Sequence, residues 1–389
     1  MYMSKKMRII SVIFSIVFVF FIFQPLAAYA QFDTPAGSAI LMETSTGQVL
    51  FEKNAEIPVP PASVTKIMTL LLGFEAIEKG KAKWDDSVPI SQAAWKMEGS
   101  KMFLEVGNKI KYEDLIKGIS VVSANDGCVA LAEYLYGSES AFVQAMNQRA
   151  KEIGLTKTQF KNSTGLPAEG HVMSARDIAV LSRYLIDTYP RIIEIESLKE
   201  YTYNNIKQYN RNPLLGVFPG ADGLKTGWTD EAGYCLVGTA KQDGTRLISV
   251  VLKTKNEAER LSASQELLNY GFKNFQKVTV KNAGDVVDSV EVKNGKKQTA
   301  SVKVNNSISI FVPTARKDEP IINIVKDTPS FNAPVAVGTA VGKLEVQLDG
   351  KTLASSEISI AEDVPKAGFF ELLFRNIGNF FKSIFSKGK

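Results

Sequence analysis

The stretch Pro60-Pro61-Ala62-Ser63-Val64-Thr65-Lys66-Ile67-Met68-Thr69-Leu70 joins a proline-rich turn to an apolar segment. A helix is expected from about Ala62, with Ser63 and Lys66 three residues apart on one face, so that the lysine amine can reach the serine hydroxyl. A hydroxyl is a poor nucleophile until a base takes its proton, and a desolvated lysine can be neutral enough to do so. The spacing by itself is weak evidence, since about two such pairs are expected by chance in a chain rich in serine and lysine.

The segments around this motif predict a mixed fold. A β-hairpin is expected from residues 38–42 and 48–51, which flank a turn-rich stretch. Helical patterns follow over residues 112–136, 140–153 and 174–189, then strands over 234–240 and 246–253, and a closing helix over 258–272. This order predicts an α+β domain, in which helices pack around an antiparallel sheet.

Two further motifs follow in order. Ser123-Ala124-Asn125 opens a helical stretch, and Lys225-Thr226-Gly227 leads into the strand that begins near Tyr234. Together with Ser63 and Lys66 they resemble the S-x-x-K, S-x-N and K-T-G set of penicillin-binding proteins and serine β-lactamases. Three motifs in this order are far less expected by accident than one.

The resemblance is closest to the low-molecular-mass D-alanyl-D-alanine carboxypeptidases and covers nearly the whole mature chain. The further matching stretches are Pro61-Ala62-Ser63, Gly99-Ser100-Lys101-Met102-Phe103-Leu104, Ser123-Ala124-Asn125-Asp126, Ser174-Ala175-Arg176-Asp177 and Asp222-Gly223-Leu224-Lys225. It implies a β-lactamase/transpeptidase-like antiparallel sheet with helices, a small all-β C-terminal domain and an amphipathic C-terminal helix.

The resemblance also implies an acyl-enzyme mechanism. Ser63 would attack the carbonyl between two D-alanines, Lys66 would take its proton, and Ser123 with Lys225 would relay a proton to the departing D-alanine. The substrate would be a peptidoglycan stem peptide ending in D-Ala-D-Ala, with β-lactam antibiotics as covalent inhibitors. The implied substrate-binding residues are Asn125, Lys225, Thr226 and Gly227.

For the oxyanion, the resemblance implies the backbone N–H groups of Ser63 and Trp228. One position departs from the family pattern: many relatives carry an arginine just before a Glu-Ala-Glu stretch, where it assists carboxylate binding, and this chain has Asn256 there. The residues considered as substitutes are Lys253, Lys255 and Arg260. The motifs identify no group that activates the deacylating water.

The chain divides into four predicted segments. A basic start, an apolar run and Ala28-Tyr29-Ala30 predict a cleaved signal peptide over residues 1–30. The alternative is an uncleaved membrane anchor, which is disfavoured because the apolar run is short for a bilayer span and ends in a cleavage-like site. A peptidase domain is expected over 31–275 and a small all-β domain over 276–364, where Val/Ile-rich runs alternate with turn signals.

Residues 366–389 predict an amphipathic helix that lies in the membrane interface, with docking on the protein's own core as the alternative. Its apolar positions are Phe369, Phe370, Leu373, Phe374, Ile377, Phe380, Phe381, Ile384 and Phe385. The expected location is therefore the outer face of the cytoplasmic membrane, with peripheral attachment.

Composition excludes several classes of function. The formal charge of +5 becomes +2 once the three basic residues of the signal peptide are removed, which is too small to indicate nucleic acid binding. His171 is the only histidine, and Cys128 and Cys235 are the only cysteines, so a zinc site has almost no ligands and a disulfide scaffold is not expected. We expect His171 to be structural and no metal or cofactor to take part.

Three alternatives remain open. A class A β-lactamase needs a glutamate four residues before an asparagine, and Thr158 occupies that position before Asn162, so rapid penicillin hydrolysis is not expected. A D,D-endopeptidase would use the same residues. A noncatalytic penicillin-binding sensor or scaffold is disfavoured because all five polar candidates are present: Ser63, Lys66, Ser123, Asn125 and Lys225.

Overall fold

The computed structural model describes the backbone of residues 32–386 and the side chains of residues 32–377. The predicted signal peptide, residues 1–30, lies outside the described residues, and so do the side chains from residue 378 onward. In chain order the strands of the first domain are β1 (Ser38–Glu43), β2 (Val49–Lys53), β3 (Ser87–Pro89), β4 (Lys109–Lys111), β5 (Glu200–Tyr203), β6 (Ile206–Tyr209), β7 (Ala221–Thr229), β8 (Gly233–Gln242) and β9 (Thr245–Thr254).

Five of these strands form a central antiparallel sheet in the order β2-β1-β9-β8-β7. The predicted hairpin of β1 and β2 is confirmed and occupies one edge, while β7 occupies the other. The inner strands are apolar runs such as 247–252 whose side chains are buried on both faces. Such strands require helices on each side of the sheet, because exposed apolar faces would be costly in water.

Helices surround this sheet. They are α1 (Lys66–Glu78), α2 (Gln92–Lys96), α3 (Tyr112–Val121), α4 (Asn125–Tyr136), α5 (Glu139–Ile153), α6 (Ala175–Thr188), α7 (Arg191–Glu196) and α8 (Glu257–Asn274), and one further helix, α9 (Phe369–Ser386), follows the second domain. A 3₁₀ turn, Ala62–Thr65, precedes α1, which is buried continuously from Lys66 to Ala76. The α+β architecture predicted from the sequence is confirmed, and the most deeply buried helix is the one that carries the first motif.

The helical pattern over residues 112–136 conceals a break. Helix α3 ends at Val121, α4 begins at Asn125, and Ser123 between them has a φ of +63°. The prediction that Ser123-Ala124-Asn125 opens a helical stretch agrees with a helix that starts at Asn125, and the left-handed conformation of Ser123 keeps this residue itself out of the α-helix.

The K-T-G motif lies inside a strand rather than before one. Strand β7 spans Ala221–Thr229 and pairs with β8 through Lys225↔Val237 and Gly227↔Cys235. The sequence predicts the first strand of this region only near Tyr234, because β7 contains two glycines and several polar residues and lacks the apolar alternation that identifies a strand.

A second, all-β domain has its own hydrophobic core. Its strands are β10 (Phe275–Lys281), β11 (Val286–Lys293), β12 (Thr299–Val304), β13 (Ile308–Pro313), β14 (Ile321–Lys326), β15 (Ser330–Asn332), β16 (Ala340–Leu348) and β17 (Lys351–Ile360). Strands β10 and β13 pair with each other, and the other six form a sheet in the order β14-β16-β17-β12-β11-β15. The C-terminal β-domain is thus confirmed, while the limits 31–275 and 276–364 stay predictions.

A side-chain amide connects the two domains. The Gln48 side chain, which follows the β1–β2 turn, donates a hydrogen bond to the Phe311 carbonyl and accepts one from the Phe311 N–H at 3.0 Å. Each partner is a backbone group of β13, so Gln48 pairs with this strand much as a neighbouring strand would.

The C-terminal helix α9 leaves its apolar side chains exposed within the part that is described. Phe369, Phe370 and Phe374 are each at least 70% exposed, whereas Arg375 donates to the Gly295 carbonyl at 2.9 Å. None of the helices within residues 32–386 combines the length and the hydropathy needed to cross a bilayer.

Candidate active site

The first motif places a serine and a lysine in hydrogen-bond contact. Ser63 lies in the 3₁₀ turn before α1, and Lys66 is the first residue of α1. The Lys66 Nζ donates to Ser63 Oγ at 2.9 Å, to Asn125 Oδ1 at 2.7 Å and to the Thr164 carbonyl at 2.6 Å. All three donors of the amine are therefore used, which fixes it beside the hydroxyl.

Burial changes the charge state of this lysine. Lys66 is fully buried, and loss of hydration lowers its pKa from 10.5 to about 8, with the charge of Arg211 acting in the same direction. About a tenth of the amine is therefore neutral at pH 7, and the fraction rises towards pH 8. A neutral amine 2.9 Å from a hydroxyl has the geometry and the free electron pair of a general base.

The second motif faces the same point. Ser123 is buried, and its Oγ has no hydrogen-bond partner among the described residues. Asn125 is held by two contacts: its N–H donates to the Ser100 carbonyl at 2.7 Å, and its Nδ2 donates to the Glu98 carbonyl at 2.7 Å. Because the amide nitrogen is used, the oxygen of Asn125 must point to Lys66.

Asp126 binds the backbone of the segment that follows Ser100 at the edge of the cleft, a role that the sequence motifs did not predict. It lies in the first turn of α4, as expected of a helix-start residue, but its carboxylate oxygens accept from the N–H groups of Met102 at 3.1 Å and Leu104 at 3.0 Å. Phe103 between them has a φ of +64°. These bonds stabilise the strained segment that carries Ser100 into the cleft.

The third motif approaches the nucleophile along the edge strand β7. Lys225 is buried, its Nζ donates to the Thr226 carbonyl at 3.1 Å, and burial together with the charge of Lys66 lowers its pKa. A Cβ on Gly227 would lie 2.9 Å from the Pro61 carbonyl and 3.2 Å from the Ser63 nitrogen. Glycine is required here because any side chain would push β7 away from the nucleophile.

The three motifs meet at one open cleft with a volume of about 550 Å³, and Lys66, Asn125 and Lys225 lie beneath its surface, outside the lining. Of the residues predicted from the sequence, Ser63, Ser123, Thr226, Gly227 and Trp228 line it. Ser100 also lines it and belongs to one of the stretches that match the family. The other lining residues were not predicted, because they come from a loop, a strand start and a helix start with no motif of their own: Asn210, Arg211, Pro213, Tyr234 and Glu257.

Arg260 is the cation that the cleft offers near Asn256. Asn256 itself caps α8, with its Oδ1 accepting from the Glu259 N–H at 2.8 Å. One turn later Arg260 lines the cleft with its guanidinium 5.6 Å from the Tyr234 ring centroid, and its Nε has no hydrogen-bond partner among the described residues. Neither Lys253 nor Lys255 lines the cleft.

His171 contacts the 3₁₀ turn Ala62–Thr65 that carries Ser63, here called the nucleophile turn. Its Nδ1 accepts from the Lys161 N–H at 3.3 Å, so the proton is on Nε2, which donates to Thr65 Oγ1 at 2.8 Å. Burial lowers its pKa from 6.5 to about 4. Gly165 meets the same turn, because a Cβ there would lie 1.8 Å from the Ala62 carbonyl.

The two cysteines are buried and free, and burial raises the pKa of each thiol. Within residues 32–386 there is no cluster of three or more His, Cys, Asp or Glu side chains arranged to hold a metal ion.

Comparison with known proteins gives consistent matches. Residues 25–256 match the family model described as D-alanyl-D-alanine carboxypeptidase, peptidase S11, and residues 275–366 match the C-terminal domain of penicillin-binding protein 5. The chain is 39% identical to D-alanyl-D-alanine carboxypeptidase DacF of Bacillus subtilis over 352 aligned residues. The aligned region covers 89% of this chain and 90% of the relative.

Two solved structures extend these matches. Penicillin-binding protein 5 from Haemophilus influenzae superposes with a TM-score of 0.79 at 34% identity, covering 87% of this chain and all of that one. Penicillin-binding protein D2 from Listeria monocytogenes, in its ampicillin-bound form, superposes with a TM-score of 0.58 at 34% identity, covering 62% of this chain and 99% of that one.

The buried His171 predicts a dependence of stability on pH. Its folded pKa lies below the unfolded value, so the unfolded state binds the extra proton, and stability present above pH 6.5 is lost as the pH falls towards 4. This loss is roughly 3 kcal/mol. We expect the free energy of unfolding of His171→Gln, measured by urea titration between pH 4 and 7, to fall less with acidification than that of the parent.

His171 is the only histidine, so the difference between the two curves reports this residue. Parallel curves for parent and variant would contradict the assignment of a buried neutral imidazole.

Proposed function

The chain belongs to the D-alanyl-D-alanine carboxypeptidase family, and we propose that it removes the terminal D-alanine from peptidoglycan stem peptides through an acyl-enzyme on Ser63. Family membership confirms the resemblance and the serine peptidase class inferred from the motifs. The observation that carries the residue assignment is the 2.9 Å contact between the buried amine of Lys66 and the hydroxyl of Ser63.

In the first step Lys66 takes the hydroxyl proton as Ser63 attacks the carbonyl between the two D-alanines. The lowered pKa of Lys66 supports this role, because an amine protonated throughout the working range has no electron pair to offer. Asn125 holds the amine in place and contacts the peptide amide. The products of this step are an ester on Ser63 and a departing D-alanine.

The departing amine needs a proton, and Ser123 with Lys225 supplies it. The unpartnered hydroxyl of Ser123 supports the assignment, since a buried Oγ with no bond in the resting protein can accept one from the reacting groups. The oxyanion is bound by the backbone N–H groups of Ser63 and Trp228. The close approach of Gly227 to the Ser63 nitrogen supports this pair, because it brings the end of β7 beside the nucleophile.

The terminal carboxylate of the substrate is bound by Lys225, Thr226 and Arg260. Arg260 supports this assignment by its position in the cleft and by its unpartnered Nε, so the side chain has hydrogen-bond capacity for an anion. Asn256 does not weaken recognition under this proposal, because the cation is delivered one helical turn later.

A β-lactam should acylate Ser63 and remain bound. The carboxylate that activates water in class A β-lactamases has no counterpart at Thr158, whose hydroxyl donates to Asp177 at 2.7 Å, and Asn162 uses its side chain within its own loop. Slow hydrolysis of the β-lactam ester on Ser63 is the expected consequence. The ampicillin complex of the Listeria monocytogenes protein is consistent with such an adduct.

The C-terminal helix attaches the enzyme to a membrane surface, on the outer face of the cytoplasmic membrane after export. The exposed phenylalanines of α9 support this and argue against docking on the protein's own core. Arg375 is held against the β-domain through the Gly295 carbonyl, so its charge does not have to enter the apolar layer.

Replacement of the nucleophile tests the function. We expect Ser63→Ala to lose release of D-alanine from diacetyl-L-Lys-D-Ala-D-Ala by at least about 10³-fold, since the covalent route is removed. Labelling with fluorescent penicillin should fall from one adduct per chain to none. The exposed serine variant Ser87→Ala serves as control and should match the parent.

Failure of the parent to release D-alanine while it cleaves cross-linked wall fragments would indicate an endopeptidase. Labelling without turnover on either substrate would indicate a penicillin-binding sensor.

Replacement of Arg260 tests carboxylate recognition. A charge-assisted hydrogen bond contributes roughly 1.5 to 3 kcal/mol, so Arg260→Gln should lower kcat/KM about 10- to 100-fold. The loss should appear with the free-acid peptide and be much smaller with its C-terminal amide. Lys255→Gln, which removes an exposed cation nearby, should leave both rates unchanged. Equal losses on acid and amide would exclude a carboxylate contact.

Replacement of exposed phenylalanines tests membrane attachment. Phe370→Asp with Phe374→Asp in the mature chain should reduce sedimentation with anionic liposomes at least about tenfold, because each buried aromatic contributes roughly 1.5 to 3 kcal/mol. Val286→Asp with Ile321→Asp, which are also largely exposed and lie in the β-domain, adds the same charge as a control. Equal binding by both double variants would overturn the assignment of α9 as the anchor.

A further inference from the structure

The loop between α5 and α6 supplies one acceptor for Lys66 and takes no part in the steps proposed above. The Thr164 carbonyl accepts from the Lys66 Nζ at 2.6 Å, and Thr164 is only 1% exposed. A carbonyl can orient an amine only if the backbone that carries it is held in place. The residue that holds this backbone is Ser163, which comes directly before Thr164.

Every polar group of Ser163 is hydrogen-bonded. Its N–H and its hydroxyl both donate to Oε1 of Glu139, at 3.0 and 2.7 Å, and its carbonyl accepts from the Thr69 hydroxyl at 2.6 Å. Glu139 is the first residue of α5, and Thr69 lies on α1. Ser163 itself is fully buried. Two helices therefore fix the backbone immediately before the Thr164 carbonyl.

Lys66 and Thr69 dock the loop on α1. Residues three apart on a helix share a face, and these two side chains donate to consecutive carbonyls, those of Thr164 and Ser163, at 2.6 Å each. The amine of Lys66 thus makes one of two neighbouring contacts between α1 and the loop. A displacement of Ser163 would move the Thr164 carbonyl away from the amine as well.

The turn around Ser163 also has bonds of its own. The Asn162 Oδ1 accepts from the N–H of Thr164 at 3.1 Å and from the N–H of Gly165 at 2.7 Å. These bonds lie within the turn and set its shape. The bonds of Ser163 to the two helices attach the turn to the rest of the domain.

The Thr164 carbonyl matters most when Lys66 is neutral. An amine that has lost one proton keeps two N–H donors and gains a free electron pair. Asn125 Oδ1 at 2.7 Å and the Thr164 carbonyl at 2.6 Å are acceptors only, so they take the two N–H groups. The electron pair is then directed at Ser63 Oγ, 2.9 Å away, whose proton it accepts. With one of these acceptors displaced, the amine is free to rotate and to turn its electron pair away.

We propose that Glu139 is a positioning residue for the general base. Through Ser163 it keeps the Thr164 carbonyl on the amine of Lys66, and the electron pair of that amine stays directed at the nucleophile. This inference rests on the role proposed above for Lys66. Glu139 does not line the cleft, so its effect should fall on the chemical step and not on substrate binding.

The experiment separates the rate of acylation from the affinity of the noncovalent complex. Acylation by fluorescent penicillin, measured up to saturating concentrations, gives the limiting rate constant k2 and the dissociation constant of the complex that precedes it. Glu139→Ala removes the acceptor of Ser163, so k2 should fall about 10- to 100-fold while the dissociation constant stays within about twofold of the parent. The value of kcat/KM for D-alanine release from diacetyl-L-Lys-D-Ala-D-Ala should fall by the same factor as k2.

Three further variants separate positioning from a general loss of structure. Glu139→Gln presents an amide oxygen that still accepts from Ser163, so k2 should return to within about fivefold of the parent. Glu169→Ala removes an exposed carboxylate from the same loop and should leave both constants unchanged. Ser163→Ala loses only the hydroxyl bond, so it tests the same contact if Glu139→Ala does not fold, and its k2 should fall about three- to tenfold. Thermal unfolding shows which variants are folded.

An unchanged k2 in folded Glu139→Ala overturns the inference, and so does a loss that appears in the dissociation constant alone. Lys66→Gln then identifies which premise failed. If this variant no longer reacts with penicillin, the proposed function stands and Glu139 has no part in it. If it reacts like the parent, the proposed role of Lys66 as base is wrong.

Discussion

Burial of two lysine amines, one of them in contact with the Ser63 hydroxyl, is the constraint on which the rest of the structure depends. An ammonium group removed from water must find several acceptors or lose its proton, and the site uses both solutions. The acceptors for Lys66 come from the 3₁₀ turn before its helix through Ser63, from α4 through Asn125, and from the loop at Thr164. Three elements distant in sequence must therefore meet within hydrogen-bond distance of one nitrogen.

That meeting is possible only where the backbones come unusually close. Gly227 lets the edge strand contact the nucleophile turn, and Gly165 lets the loop contact the same turn from the other side. The left-handed conformation of Phe103 stores strain that the bonds from Met102 and Leu104 to Asp126 help to sustain, and Ser123 adopts a left-handed conformation as well. Well-packed helices and an apolar sheet provide the stability against which such strain persists.

Sequence patterns predicted what depends on short-range spacing. The contact between Ser63 and Lys66 follows from helical geometry, and the hairpin of β1 and β2 from a turn between two apolar runs. The strand that carries Lys225 was missed, because at an edge that must approach other backbones glycine and polar residues replace the apolar alternation.

Arg211 and Arg260 were not predictable as a pair, since only the tertiary fold brings a loop and a helix to one cleft. The concern about Asn256 arose for the same reason: local sequence shows which residue fills a position, but not which neighbour on the helix reaches the site.

The pairing of Gln48 with Phe311 has a consequence for where in the cell wall the enzyme works. Two hydrogen bonds between a side-chain amide and a strand backbone restrict rotation between the peptidase domain and the β-domain. With α9 lying on a membrane as proposed, the β-domain acts as a spacer of fixed length. The catalytic cleft is then held at one height above the lipid. Stem peptides would then be trimmed within a narrow layer of the wall close to the membrane, and older material displaced outward by growth would pass beyond the enzyme's reach.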